Sequence, residues 1–186
     1  MSQENVDIVR KPLRVREPSS RTPDQRLLLR FPRLAAASGR LIARPPSSRL
    51  RQALLWRATR LALEAFNRRD LDAAYLLLHP DHEYYPARGW AEAGLEPRYR
   101  GPEGYREFVS NWSEVFGADL RLEPAELIDL GDRLVILGEL PVRGQASGVR
   151  VTEKFAYVLT LKDGLAIRHE EYLDHAEALK AVGLKE

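Results

Sequence analysis

The apolar residues of this chain change period part-way along it, and that change limits the fold more than any other feature. Leu50, Leu54, Ala58, Leu61, Ala65 and Phe66 recur at helical spacing, while Arg51, Arg57, Arg60, Glu64 and Arg68 fall largely on the remaining surface. This predicts an amphipathic helix from Leu50 to about Asn67. Asp70 is placed to cap a second helix running to Leu78, and Pro80 ends it because its ring removes a donor and clashes with the preceding turn. His82 to Tyr85 reads as a short strand. An irregular stretch with Pro86, Gly89, Gly94 and Pro97 leads to a third helix opened by Gly101 and Pro102, with a stripe of Tyr105, Phe108, Val109, Trp112, Val115 and Phe116.

Beyond these helices the period becomes 2. Strands are expected at Leu120 to Ile128, Arg133 to Arg143, Val149 to Leu161 and Leu165 to Leu173, joined by turns at Gly131-Asp132, around Gly144 to Gly148, and at Asp163-Gly164. Links this short make the strands antiparallel. Asp174 and Glu177 form a capping pattern for a closing helix that ends near Gly183. The fold class is therefore α+β, with a curved antiparallel sheet wrapped around the N-terminal helices so that every apolar face is buried.

Charge divides the chain where the period begins. Residues 1 to 52 hold twelve Arg or Lys against Glu4, Asp7, Glu17 and Asp24, whereas the rest holds 17 against 23 carboxylates. The N-terminal segment is also rich in Pro and Ser and lacks a sustained period, so residues 1–49 read as a basic, flexible extension and 50–186 as the folded domain. Clustered Arg could meet an anionic surface, nucleic acid included, or resemble a transit peptide, but Glu4 and Asp7 sit badly in the latter. The composition favours a solvated arm without a nucleic-acid role. No apolar run approaches the roughly 18 residues of a membrane helix. A cytoplasmic protein without membrane insertion is expected, and zero cysteines exclude disulfides and thiolate zinc sites.

Several segments resemble the SnoaL-like family of the nuclear transport factor 2-like superfamily: Ala65-Phe66-Asn67-Arg68-Arg69-Asp70, Tyr99-Arg100-Gly101-Pro102-Glu103-Gly104, Asp163-Gly164, and Glu170-Glu171-Tyr172-Leu173-Asp174 followed by Ala176-Glu177-Ala178-Leu179. The similarity covers residues 58 to 186. Met1 to Arg10 also resembles the family's start, with residues 12 to about 55 intervening as though inserted. The resemblance implies a cone-shaped fold around a ligand pocket. It does not fix a function, because the superfamily hosts cyclases, isomerases, dehydratases, hydrolases and non-catalytic binders on one scaffold.

On the last strand Ile167, His169, Glu171 and Leu173 share one face by alternation, and Arg168, Glu170 and Tyr172 the other. The resemblance places His169 and Glu171 where polyketide cyclases carry a histidine and an acid/base Asp, so these two are the candidate catalytic residues. A carboxylate in an apolar cavity has its pKa raised by desolvation, and a neighbouring His can donate to a developing enolate oxygen. Proton abstraction beside a carbonyl is the matching chemistry. Both residues could equally lie on a wet face or pair with Lys154. Compared with ketosteroid isomerase, Tyr85 before Pro86 replaces the base and Lys154 stands near the second acid, so that activity is not expected. Tyr85, Lys154, Ile167 and Leu173 are candidate pocket-lining residues, and Trp112 either lines the pocket or packs in the core.

Nucleotide-binding glycine loops, a nucleophile elbow and paired metal-ligand histidines are all missing from the sequence, so no cofactor or metal is expected. Two functions stand side by side: a cyclase-like or isomerase-like enzyme acting on a small apolar or carbonyl-containing molecule, and a ligand-binding or scaffold protein without turnover. The outer sheet face, on strands Arg133 to Leu161, is expected to pair two copies into a homodimer.

Overall fold

The computed structural model describes residues 8–15, 20–116, 121–143 and 150–185. Its elements run β1 (Val9–Pro12), α1 (Pro23–Arg30), α2 (Pro32–Ile42), α3 (Arg49–Asn67), α4 (Leu71–Ala74), β2 (Leu78–Tyr85), α5 (Arg88–Glu92) and β3 (Tyr99–Arg100). They continue with α6 (Gly101–Phe116), β4 (Glu123–Asp129), β5 (Arg133–Arg143), β6 (Arg150–Lys162), β7 (Leu165–Tyr172) and α7 (His175–Ala181). The expected turn around Gly144 to Gly148 lies outside the described residues.

Among the described residues one curved, unclosed sheet carries the seven strands in the order β1-β4-β5-β6-β7-β2-β3. Neighbours are antiparallel except β2 and β7, which run parallel. The parallel pair departs from the wholly antiparallel expectation because α6 and the β4–β6 meander separate the two strands in sequence, so no hairpin constrains their direction. On the concave side, Leu134, Ile136, Phe155 and Tyr157 pack against Leu55, Leu63 and Phe66 of α3 and Phe108 and Trp112 of α6. On the convex side, Val135, Leu137, Ala156 and Val158 lie beneath Ala178, Leu179 and Val182 at the C-terminal end of the chain. These four residues of the face expected to pair two copies are thus covered within the chain itself.

Asp70 caps α4 by accepting from the Ala73 amide at 3.3 Å, but the helix stops at Ala74 and Leu78 already belongs to β2. Pro80 is tolerated there because the β2–β7 register slips between Leu78 and Glu83, where no ladder donor is needed.

The N-terminal segment departs furthest from expectation. Instead of a solvated arm, β1 extends the sheet by pairing with β4 from Val9↔Asp129 to Pro12↔Glu126. Leu13 and Ile42 enter the core almost completely buried. Thr22 and Gln25 close a capping box on α1. Arg21 holds Asp70 through two bonds of 2.7 Å. Gly39 on α2 meets the Asp163-Gly164 turn so closely that a Cβ at Gly164 would collide with the Gly39 carbonyl. The firmest tie is Arg51, buried with Asp129 in a bidentate pair at 2.8 and 2.7 Å. Its remaining N–H groups go to the carbonyls of Ile42, Arg44 and Gly131. These partners are distant in sequence, so local periodicity could not reveal them.

Candidate functional site

Strand β7 carries the two candidate catalytic side chains and lies between β6 and β2. His169 and Glu171 are buried on the concave face, whereas Arg168 and Glu170 pair with each other at 2.9 Å on the other side. The alternation fails one step earlier. Thr160 opposes Arg168 but Leu161 opposes Ala166, which leaves Ile167 as the extra residue of a bulge. Ala166, not Ile167, therefore shares the cavity wall with His169, correcting the expected placement of Ile167.

His169 sits in an aromatic enclosure. Its ring meets the edges or faces of Tyr157 at 4.4 Å, Tyr84 at 4.7 Å and Tyr105 at 5.7 Å, with His82 at 6.1 Å. Burial and the nearby His82 push its pKa well below the ordinary histidine range, so the ring is neutral. Its Nε2 has no hydrogen-bond partner, and the same holds for both ring nitrogens of the fully buried His82 and for the Tyr75 hydroxyl. Burial lowers the His82 pKa to about 4. Beside this cluster lies a cavity of about 110 Å³, bordered by Tyr75, Tyr105, Tyr157 and His169 and otherwise almost entirely by apolar side chains of α3, the sheet, the ends of α2 and α4 and the links beside them.

Glu171 is 8% exposed. Its Oε2 accepts from the Tyr84 hydroxyl at 2.9 Å, the Ala87 amide at 3.2 Å and the Trp90 indole N–H at 2.9 Å. Desolvation outweighs these three stabilising bonds and raises the carboxyl pKa to about 7. The bonds gather on one oxygen. Glu171 borders an open groove formed by Tyr85, Pro86 to Gly89, Leu173 and one side of α7. The groove and the inner cavity are separated by Tyr84, which touches His169 with its ring and Glu171 with its hydroxyl.

The remaining expected residues scatter. Tyr85 borders the groove, its ring covered by the Arg168 guanidinium at 4.1 Å and its hydroxyl donating to Glu83 at 2.7 Å. Leu173 borders the same groove, just beyond the end of β7. Trp112 is 2% exposed within the core, edge-on to Trp90 at 6.2 Å. Lys154 is exposed and registers with the exposed Glu139. Because Phe155 and Tyr157 point inward, the parity of β6 turns Lys154 away from the cavity, and it supplies no cationic wall. Sequence reasoning missed His82, Tyr84, Trp90 and Tyr75. For the first two a signal existed, since His82 and Tyr84 alternate on β2 as His169 and Glu171 do on β7. Among the described residues no three His, Asp or Glu side chains gather as a metal site. No described helix is long and apolar enough to cross a membrane.

A model of the SnoaL-like domain matches residues 59–169. The chain belongs to the SnoaL-like family. Among solved structures it is similar to TerC, crystallised with polyporic acid, at 31% identity over 67% of this chain and 94% of that one, with a TM-score of 0.58. A nuclear transport factor 2-like protein from Burkholderia pseudomallei shares 31% identity over 68% and 95% of the two chains, with a TM-score of 0.58. A SnoaL-like protein from Burkholderia thailandensis shares the fold at 20% identity, 66% and 97% coverage and a TM-score of 0.52. No curated protein is significantly similar in sequence. The family match begins within α3, so the segment from α1 to the start of α3 lies outside it.

Proposed function

We propose that this SnoaL-like chain binds a small, uncharged, carbonyl-containing molecule and moves a proton at the carbon beside the carbonyl. Glu171 is the base in this reading and His169 the donor to the developing enolate oxygen, and for one substrate to reach both, the Tyr84 side chain that stands between them must move aside. The observation that carries it is Glu171: a buried carboxyl whose pKa lies near neutrality and whose three donors gather on a single oxygen. A base with a pKa close to the working pH is both available and strong enough to take a proton. Three fixed donors hold its orientation without reorganisation during transfer. The neutral His169, with Nε2 unpaired, supplies a hydrogen-bonding site in an apolar enclosure, where such a bond is strong. The crystallisation of TerC with polyporic acid supports a small-organic-molecule site in this family.

A second reading, binding without turnover, is favoured by one observation. Tyr84 stands between the two candidate residues, so His169 faces the inner cavity while Glu171 borders the groove. Deuterium wash-in from D2O at the carbons flanking the carbonyl of 2-octanone, followed by NMR, separates the two. Proton transfer requires accelerated exchange with an inflection near pH 7, lost in Glu171→Gln and retained in Glu170→Gln on the opposite face. Ketone binding without accelerated exchange selects the binding reading, and exchange that survives Glu171→Gln excludes Glu171 as the base.

A further inference from the structure

A second cavity of about 240 Å³ lies between the N-terminal helices and the body. Leu27 and Leu28 of α1 form one wall, and Leu54, Ala58 and Leu61 of α3 another. It is built largely from residues outside the family match, and it shares Ile42, Ala62, Ala74 and Leu77 with the inner cavity. Two of those four partition residues are alanines, and the other two are aliphatic side chains able to change rotamer.

The polar groups at this outer chamber are already engaged. Gln25 donates through Nε2 to the Leu61 carbonyl at 3.1 Å, and its Oε1 accepts from the Thr22 amide at 3.0 Å and from Arg68 at 2.9 Å. Asp24 pairs with Arg57 at 2.8 Å near the solvent-facing rim. The chamber therefore presents aliphatic surface without these groups needing a ligand, whereas the inner cavity holds the unpaired His169 Nε2 and Tyr75 hydroxyl. A charged head does not suit the inner end, because it would be desolvated there without a countercharge.

Building on the carbonyl reading, we propose that the two chambers join, by rotation of Ile42 and Leu77, into one elongated site for an unbranched aliphatic ketone or similar neutral oxo compound. The polar end lies at His169 and the alkyl chain runs outward beneath α1 and α2. Since a dry apolar cavity of about 150 Å³ accommodates the six carbons of benzene, the outer chamber has room for roughly eight to ten chain carbons.

Binding of 2-hexanone, 2-octanone, 2-decanone and 2-dodecanone to the full chain, measured by calorimetry and ligand-detected NMR, tests this. Affinity is expected to rise about fourfold for each added CH2. Ala58→Phe fills the outer chamber alone, and should weaken 2-decanone by about a hundredfold while leaving 2-hexanone unchanged. Leu28→Trp provides an independent block, and an unchanged melting temperature shows that either variant is folded. A series that stays flat beyond 2-hexanone, or one whose slope survives both blocks, overturns the outer chamber. 1-Decanol separates this proposal from the one beneath it. If no ketone binds but 1-decanol does, and Ala58→Phe removes it, the chamber stands and the carbonyl reading falls; if neither ketones nor 1-decanol bind, both fall.

Discussion

Two sets of buried polar side chains contrast in this molecule: the Arg51–Asp129 pair, which also holds the carbonyls that lead from α2 to α3, and the histidines and tyrosine at and beside the inner cavity. Arg51 is as deeply buried as His169, yet all its N–H groups have acceptors: both carboxylate oxygens of Asp129 and three carbonyls. His82, His169 and Tyr75 have buried polar atoms with none. A buried polar group costs little when paired and a great deal when it is not. Removing a partner from the first set therefore destabilises the fold, whereas the unpaired atoms of the second already carry their desolvation cost in the folded chain.

Breaking the paired set should have the largest effect. Arg51→Ala leaves Asp129 as an uncompensated buried charge and releases the carbonyls of the α2–α3 link, so urea denaturation should show a loss of about 3–5 kcal/mol. A loss below about 1 kcal/mol would mean that the pair is not what holds the segment down.

Glu171 sharpens the contrast from the unpaired side. Its folded pKa is raised from 4.5 to about 7, so folding favours the protonated form; stability is fully present below the unfolded value and falls as pH rises from about 4.5 through 7. Glu171→Gln removes the charge, and should be more stable than the native chain by up to about 3 kcal/mol above pH 7, with the gain disappearing below pH 4.5. Equal stability of the two proteins at pH 8 would contradict a desolvated carboxylate.

The smallest of the three effects belongs to His82 and has the opposite sign. Its folded pKa of about 4 lies below the ordinary 6.5, so its contribution is present above pH 6.5 and is lost as pH falls toward 4. Between pH 7 and 5 this amounts to about 2 kcal/mol. His169, also depressed, adds acid sensitivity at falling pH, while Glu171 partly offsets both. His82→Phe should flatten the acid side of the melting-temperature profile, and an unchanged profile would show that His82 is not held neutral by burial.

The sequence by itself determined the long helices α3 and α6, the strands β4 to β7 and the closing helix α7, because the period of apolar residues and capping side chains such as Asp174 act over a few residues, whereas the short α5 and β3 lie in the stretch read as irregular and the helix capped by Asp70 ends at Ala74. It also determined the family, and put His169 and Glu171 on one strand face. What only the tertiary structure decided depends on groups far apart in the chain. The burial of Arg51 needs Asp129, and the docking of α2 needs the Asp163-Gly164 turn. The bulge that removes Ile167 from the cavity arises from pairing with β6, since a one-residue slip exchanges the faces of a strand. Lys154 was misplaced for a related reason: sequence shows that a strand alternates, but only packing against α3 and α6 chooses which parity is inside. Tyr84 stands between His169 and Glu171 because β2 pairs with β7 in parallel, a long-range contact with no local signature.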